Sequence, residues 1–446
     1  MQRLAVGILF LVHARTARAG NEDTFLFGDQ AALTGGAVVA SIRDTAAIWY
    51  NPAGLAHNQR GRLEVSGTAF SLRVRRIPGG LALDLPSRRA EESIESTQIS
   101  VTPTAITLAR AFSPRLSVGI GLFVSEQDIS NFGGSGRESD AGTSLDVAGA
   151  LRGTVIRYQA GPALGWRATP RLRLGVSLLG VYEERHEFRK LFANAQMTGG
   201  AYQTTFLERL VDSEVTRFGL ELVAGLQLDA GPWQLGLSAR APRLIVREDA
   251  ATDNSTSLIS KGMSAPTVAE SAVDHAPIGA EGTGATHPPR LVAGAARRLR
   301  ACEVSAEIEL RPSGVGDSAQ NWVVNARAGL LWLRGDATLL GIGLFSDRSG
   351  AGRPATFPDS RVDYYGMSLG WKHRTTVRLH AAESTSSLLF STTVAARYAV
   401  GLGQSTRIRF DFRDTPNSGI VGRVADELED VTYHELSFYL GTGLEF

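Results

Sequence analysis

From Arg62 onward the apolar residues recur at every second position over stretches of roughly ten residues, the period of a strand with two unlike faces. "RLEVSGTAF" (62–70), "RLSVGIGLFVS" (115–125), "RLRLGVSLLGVY" (171–182) and "PWQLGLSARAPRLIV" (232–246) carry the pattern. Strands of soluble domains run about five or six residues. These are longer, and match the roughly 9 to 11 residues of a tilted strand crossing a bilayer.

The connections alternate in length. Thr102–Phe112 meets Arg115–Glu126 across Ser113-Pro114, and Leu151 follows only after the polar "DISNFGGSGRESDAGTS". Leu151–Ala168 meets Arg171–Arg185 across Thr169-Pro170, and Val215–Leu228 meets Trp233–Glu248 across Ala230-Gly231-Pro232, each pair followed by a long segment. Arg290–Leu299 with Glu303–Arg311, Trp322–Leu333 with Thr338–Ser346 across Arg334-Gly335-Asp336, and Arg361–Lys372 with Val377–Ala382 continue the rhythm. Short turn, long loop, repeated, is the sequence signature of a transmembrane antiparallel β-barrel, with periplasmic turns, extracellular loops and both termini on the periplasmic side of the Gram-negative outer membrane. Counting from Arg62–Val74 to Tyr433–Phe446 predicts an all-β fold of about fourteen strands. Ser391–Val400 and Arg407–Phe412 read as one further hairpin around "GLGQS", which would make sixteen. The last strand, "YHELSFYLGTGLEF", puts Leu436, Phe438, Leu440 and Leu444 on one face and stops on Phe446, an aromatic ending of the kind read by the outer-membrane barrel assembly machinery.

Composition agrees. The chain has 446 residues, 43% hydrophobic and 20% charged, with mean hydropathy near zero; this is neither a disordered composition nor that of a helical membrane protein. The longest apolar run, "LAVGILFLV" from Leu4 to Val12, lies behind Arg3 and ahead of Ala17-Arg18-Ala19. That is the form of a secretory signal peptide over residues 1–19, and its removal with Arg3, Arg15 and Arg18 would take the formal net charge from +1 to −2. Such a charge gives no footprint for nucleic acid. With Cys302 the only cysteine, an exported chain must hold itself together without disulfides.

Between the leader and the first strand lie residues 20–60, apolar and irregular. Small residues Gly35, Gly36 and Ala37, an acidic Asp44, the aromatic Trp49-Tyr50 and the turn Asn51-Pro52-Ala53 fall within "FGDQAALTGGAVVASIRDTAAIWYNPAGLA" (27–56). This stretch resembles the N-terminal hatch of the FadL-type (FadL/TodX) outer-membrane transport family, and weaker similarity continues along the barrel in "FSPRLSVGIGLFVS", "TPRLRLGVSLLGVYEE" and "FPDSRVDYYGMSLGWKH". The resemblance implies a fourteen-stranded barrel (61–446) plugged by its own N-terminus (20–60), passing long-chain fatty acids or other hydrophobic small molecules passively, with release through a gap at a kinked strand. It carries Asn51, Pro52 and Ala53 into the hatch; Asp44 and Trp49 join them as hatch or gate residues. Its alternative is an accessory barrel of the same type, serving secretion or binding a partner. Physically, a barrel this wide cannot be filled by its own wall side chains, so a plug is needed.

Two further segments, "FRKLFANAQM" and "AYQTTFLERLV", mix apolar residues with charge where a solvated loop is expected. Amphipathic helices with a greasy groove, or a loop inserted into the barrel mouth, would make Phe188, Phe192, Phe206 and Leu207 ligand contacts, with Arg189 or Arg209 pairing a carboxylate head. Lipid and a hydrophobic small molecule are therefore the expected partners. Catalysis has no comparable signal. His13, His57, His186, His275, His287, His373, His380 and His434 are scattered, no H-E-x-x-H, G-x-S-x-G or Walker A motif occurs, and neither metal nor cofactor is implied.

Overall fold

The computed structural model describes residues 26–57, 60–85, 87–140, 143–197, 202–262, 268–280, 284–285, 287–313, 321–335, 337–357, 359–381, 384–411 and 423–446; the expected leader lies outside them. The N-terminal segment holds helix α1 (Asp29–Thr34), the single turn α2 (Ala47–Tyr50) and a 3-10 turn (Pro52–His57). Then come β1 (Arg62–Asp84), β2 (Arg89–Ala111), β3 (Leu116–Asp140), β4 (Thr143–Arg167), β5 (Leu172–Met197), β6 (Tyr202–Ala230), β7 (Trp233–Arg240), β8 (Leu244–Gly262), β9 (Val268–Ala280), β10 (Gly284–Ala285) and β11 (Arg290–Arg298). β12 (Cys302–Arg311), β13 (Val323–Arg334), β14 (Thr338–Asp347), β15 (Ser360–Ala381), β16 (Ser384–Asp411) and β17 (Arg423–Glu445) complete the chain.

Each wall strand pairs antiparallel with its neighbours, and β17 returns to β1 from Glu445↔Arg62 up to His434↔Val74, closing the sheet. β7 and β8 lie end to end along β6, interrupted at 241–243, and β10 and β11 follow the same line from β8 to β7. Counted as continuous lines, the described residues form a wall of fourteen strands. Its inside and outside are inverted relative to a soluble protein. β12 buries Ser305, Glu307, Glu309 and Arg311 while Val304, Ile308 and Leu310 are exposed, and β13 does the same with Asn325 and Arg327 against Val324, Leu330 and Trp332. Only lipid makes an apolar exterior favourable on this scale. Trp166, Trp233, Trp332 and Trp371 stand exposed near the short-turn end, and Tyr158, Tyr182 and Phe218 stack at centroid distances of 6.2 and 5.1 Å farther up. The eight residues from Trp166 back to Tyr158 rise roughly 20 Å at ordinary strand tilt, close to the apolar band of an outer-membrane barrel.

Three expectations about strands need correction. Val377–Ala381 is the continuation of β15, whose turn into β16 falls after Ala381 and not between Lys372 and Val377. Ser391–Phe412 is no hairpin: β16 runs unbroken through "GLGQS" to Asp411, which removes the sixteen-strand count. Third, the described residues of "DISNFGGSGRESDAGTS" and of the 188–211 region are strands, not loops or amphipathic helices; β3 pairs β4 out to Asp140↔Thr143 and β5 pairs β6 out to Gln196↔Thr204. Beyond the bilayer an antiparallel pair still satisfies its own backbone, so strands persist there without the apolar alternation that marked them in sequence.

The β1–β2 hairpin departs from the cylinder. After Ile77, Pro78-Gly79-Gly80 breaks the ladder, with Gly79 at φ 55°, a value that favours glycine. Leu81–Asp84 then run parallel to Ile408–Asp411, taking the β16 edge that β15 has left free above Ser405. To reach that edge the hairpin crosses the barrel mouth on the inside. It brings Ile77, Leu81, Leu83, Leu85 and Ile94 against Phe132, Leu145, Val147, Leu151, Phe410 and Tyr433, all buried. Arg407 with Glu91, Arg409 with Asp84 and Arg89 with Glu427 pin its rim.

Candidate functional site

The N-terminal segment sits inside the barrel, and the wall is shaped to receive it. A Cβ on Gly175 (β5) would lie 2.2 Å from the Pro52 carbonyl carbon, one on Gly225 (β6) 2.0 Å from Asn51 Oδ1, and one on Gly343 (β14) 2.2 Å from Gly35 N. A Cβ on Gly165 (β4), Gly236 (β7) or Gly329 (β13) would lie 2.7, 2.3 and 2.5 Å from Leu55, Val39 and Thr34. Inward-facing glycines on successive strands thus form a ring into which the hatch backbone presses.

An irregular segment buried away from water must find partners for its backbone. Wall side chains supply them. Glu307 Oε2 accepts from Val38 N and Val39 N at 2.9 Å each, Glu64 Oε2 from Thr45 N at 2.8 Å, and Ser177 Oγ donates to the Ile48 carbonyl at 2.8 Å. Lys372 Nζ pairs with Asp29 Oδ2 at 2.5 Å, and Arg240 Nη2 donates to the Trp49 carbonyl at 2.8 Å.

The five hatch candidates all lie in this plug. Asn51 Nδ2 donates to the carbonyls of Val39 (2.7 Å) and Leu226 (3.0 Å) while its Oδ1 accepts from Ala53 N, so one amide joins two parts of the hatch to β6. Pro52 opens the 3-10 turn with Ala53 buried behind it. Trp49 packs edge-on to Phe27 (4.7 Å) and beside Phe123 (5.1 Å), with the Arg240 guanidinium 4.1 Å from its ring centre. Asp44 accepts from Gln30 N and Ala46 N; burial first, then the charge of Glu64, pushes its carboxyl up to about 7. His57, which the sequence did not single out for the hatch, is pushed down to about 3 by burial and by Arg173 and Arg43.

Above the hatch the lumen is ionic. Glu309 pairs with Arg290 (2.6 Å) and Arg327 (2.8 Å), Glu183 with Arg157 (2.9 Å) and Arg217 (3.2 Å), and Glu435 with Arg397 (3.0 Å). Such pairing offsets the several kcal/mol that burying each ion costs, and fixes the geometry around it. Between this layer and the mouth cluster is a cavity of about 160 Å³. Its walls are polar, with Arg73, Arg75, Asp128 and Arg185, whereas Phe132, Leu151, Val362 and Tyr433 give it an apolar roof shared with the mouth.

Beside that cavity the wall is interrupted. β2 and β3 pair over Ala105–Ala111 with Ser117–Phe123, and again at Glu95↔Gly133, but Ser96–Thr104 and Val124–Phe132 face each other without a ladder. β3 is bulged between Val124 and Glu126, and Pro103, which has no N–H to donate, lies in the unpaired part of β2. Side chains bridge the break: Ser96 Oγ accepts from Asn131 N (3.3 Å), and Arg73 and Arg75 reach from β1 to Asp128 on β3 at 3.0 and 2.9 Å.

The six proposed ligand contacts divide between two faces of the β5–β6 hairpin. Leu207 opposes Ala193 and packs on the mouth cluster, and Arg189 lines the cavity, donating to the Phe357 carbonyl at 3.1 Å and pairing with Glu187. Arg209, opposite Leu191, shares that inner face. Phe188, Phe192 and Phe206 alternate onto the outer face, where Phe192 and Phe206 meet edge-on at 5.4 Å. The resemblance implied a gap at a kinked strand, but neither its place between β2 and β3 nor the mouth hairpin was found from sequence. Their signals were Pro103 inside a strand and Pro78-Gly79-Gly80 inside another.

The fold as a whole also occurs among solved structures. A Pseudomonas aeruginosa FadL homologue superposes over 93% of this chain and 97% of its own with a TM-score of 0.58 at 12% identity. The fold is that of the FadL-type barrels. The Pseudomonas putida toluene transporter TodX gives a TM-score of 0.55 at 13% identity over 95% of this chain and 99% of its own. No protein-family model and no curated protein matches the sequence. What the chain shares with these two structures is the fold.

Proposed function

We propose that the protein is a passive outer-membrane channel for hydrophobic small molecules, long-chain fatty acids or uncharged hydrocarbons, that leave the barrel sideways between β2 and β3. In this reading residues 1–19 are a cleaved leader, residues 20–60 the hatch, and the short turns, His57 and Phe446 face the periplasm. The β2–β3 break carries the proposal. It opens the wall at the level of the upper cavity, where a hydrophobic molecule can pass into lipid without crossing the ionic layer or the hatch. The apolar mouth cluster gives such a molecule a first resting place, and the names of the similar structures, a FadL homologue and a toluene transporter, support the same class.

The test is to staple the break. Ser96→Cys with Asn131→Cys places two thiols across it. Oxidised protein in proteoliposomes is expected to lose most uptake of a labelled fatty acid or toluene, and reduction to restore it. Uptake indifferent to the disulfide would overturn the lateral route; absence of uptake in every state would favour the accessory-barrel reading.

A further inference from the structure

At the short-turn end, below the hatch, lies a cavity of about 440 Å³ that the proposed uptake route does not use. Arg43, Arg60, Arg62, Lys372 and Arg374 line it against a single carboxylate, Glu445. Arg62 is paired with Glu64 and Lys372 with Asp29. Among the described residues Arg43 and Arg374 have neither an ion pair nor a side-chain hydrogen bond, and Arg43 Nε is buried without a partner. Burial first, with Arg298 and Arg173 adding to it against the pull of Glu303, holds the Arg43 guanidinium below its ordinary value, the condition an incoming anion relieves. A second cavity of about 190 Å³ shares Arg43, Arg62, Lys372 and Arg374 and continues into a recess where Leu33, Leu331, Leu333 and Leu339 stand beside Asp44, Glu303 and Arg298.

We propose that this vestibule is a binding site for a small amphiphilic anion, its carboxylate or phosphate head between Arg43 and Arg374 and its short alkyl portion in the leucine recess. Guanidinium groups stay charged and match both head groups through paired N–H donors. Head and tail sites sharing four residues suit one molecule carrying both chemistries. The hatch would sense it: Lys372 and Arg62, which the head group also approaches, hold Asp29 directly and Thr45 through Glu64. The site stands whether or not the barrel transports, because no part of it touches the β2–β3 break.

Isothermal titration of the full-length protein in lipid nanodiscs, with empty nanodiscs as blank, tests it with octanoate, octyl phosphate, octanol and inorganic phosphate. Octanoate and octyl phosphate are expected to bind saturably, octanol and inorganic phosphate at least tenfold more weakly. Arg43→Ala with Arg374→Ala, and Arg374→Gln alone should the double variant fail to assemble, are expected to weaken octanoate binding tenfold or more; Arg88→Ala, at the opposite end, should leave it unchanged. Equal binding of octanol and octanoate, or octanoate binding insensitive to Arg43 and Arg374, would overturn the site. Uptake in the stapled Ser96→Cys, Asn131→Cys protein is read separately, so failure of one proposal leaves the other standing.

Discussion

A wall glycine and a buried carboxyl decide how firmly the hatch sits. Gly175 has no room for a methyl group against Pro52, so Gly175→Ala is expected to weaken hatch docking by about 1–3 kcal/mol, the usual cost of overpacking. Limited proteolysis within residues 26–57 should speed up accordingly, whereas Gly284→Ala, with nothing within 4 Å, should leave it unchanged. Asp44 and His57 titrate in opposition. With its carboxyl raised to about 7, Asp44 favours docking at acid pH, where it is neutral docked or free, and that contribution is lost as pH rises from about 4 toward 7. With its imidazole lowered to about 3, His57 contributes above about pH 6.5 and loses that contribution as pH falls. Proteolytic protection of the intact hatch should therefore change little between pH 4 and 6.5. His57→Asn should make protection fall with rising pH, and Asp44→Asn should make it rise; parallel slopes in the two variants would contradict the assignment.

Among the elements, the β1–β2 hairpin is the one whose behaviour can be separated from the barrel's. Its tip joins β16 through four residue pairs, half the eight that remain in the interrupted β2–β3 ladder, and is otherwise held by apolar burial and rim ion pairs. Leu81→Ala with Leu83→Ala removes two fully buried side chains, each worth about 2–5 kcal/mol. Hydrogen exchange over residues 77–94 should rise by orders of magnitude, while exchange in β12–β14 and the heat stability of the barrel stay the same. A barrel that melts with its hairpin would show that the lid is part of the wall. How far such elements were legible in sequence follows from their surroundings. Within the bilayer one face of each strand meets lipid and the other the lumen, so alternation located β12 and β13 to within a residue or two and the starts of β1 and β3, whose outer halves it missed. Above it both faces meet water or protein; β8, β9 and the outer half of β5 then looked like loops although their backbones pair normally. The hatch was legible because a buried irregular chain needs small residues and fixed turns, which Gly35, Gly36 and Pro52 display. The wall break was not, since a missing ladder is a relation between two strands and Pro103 marks only one of them.

Across the whole molecule, closure is a matter of dimensions. Fourteen strands spaced about 4.8 Å and tilted about 40° enclose a cylinder roughly 28 Å across between backbones, and inward side chains leave a channel about 15 Å wide. Ions would cross freely if nothing else filled it. Two structures do so in series: the hatch in the lower half, set in its glycine ring, and the inward-folded hairpin at the mouth, set in its apolar cluster. Seals in series act like resistances in series, so opening one leaves the other in control. Deleting residues 26–57 is expected to raise single-channel conductance in planar bilayers only in part, and Leu81→Ala with Leu83→Ala only in part. The two changes together should exceed the sum of their separate effects, because only then is the axial path open end to end. A hatch deletion that alone gives the full open-pore conductance would show that the mouth hairpin does not seal. Fatty-acid or toluene uptake should respond differently from conductance. A hydrophobic molecule that leaves through the β2–β3 break never meets the hatch, so its uptake should survive hatch deletion provided the break keeps its shape, while the lid variant should change it by altering access to the mouth.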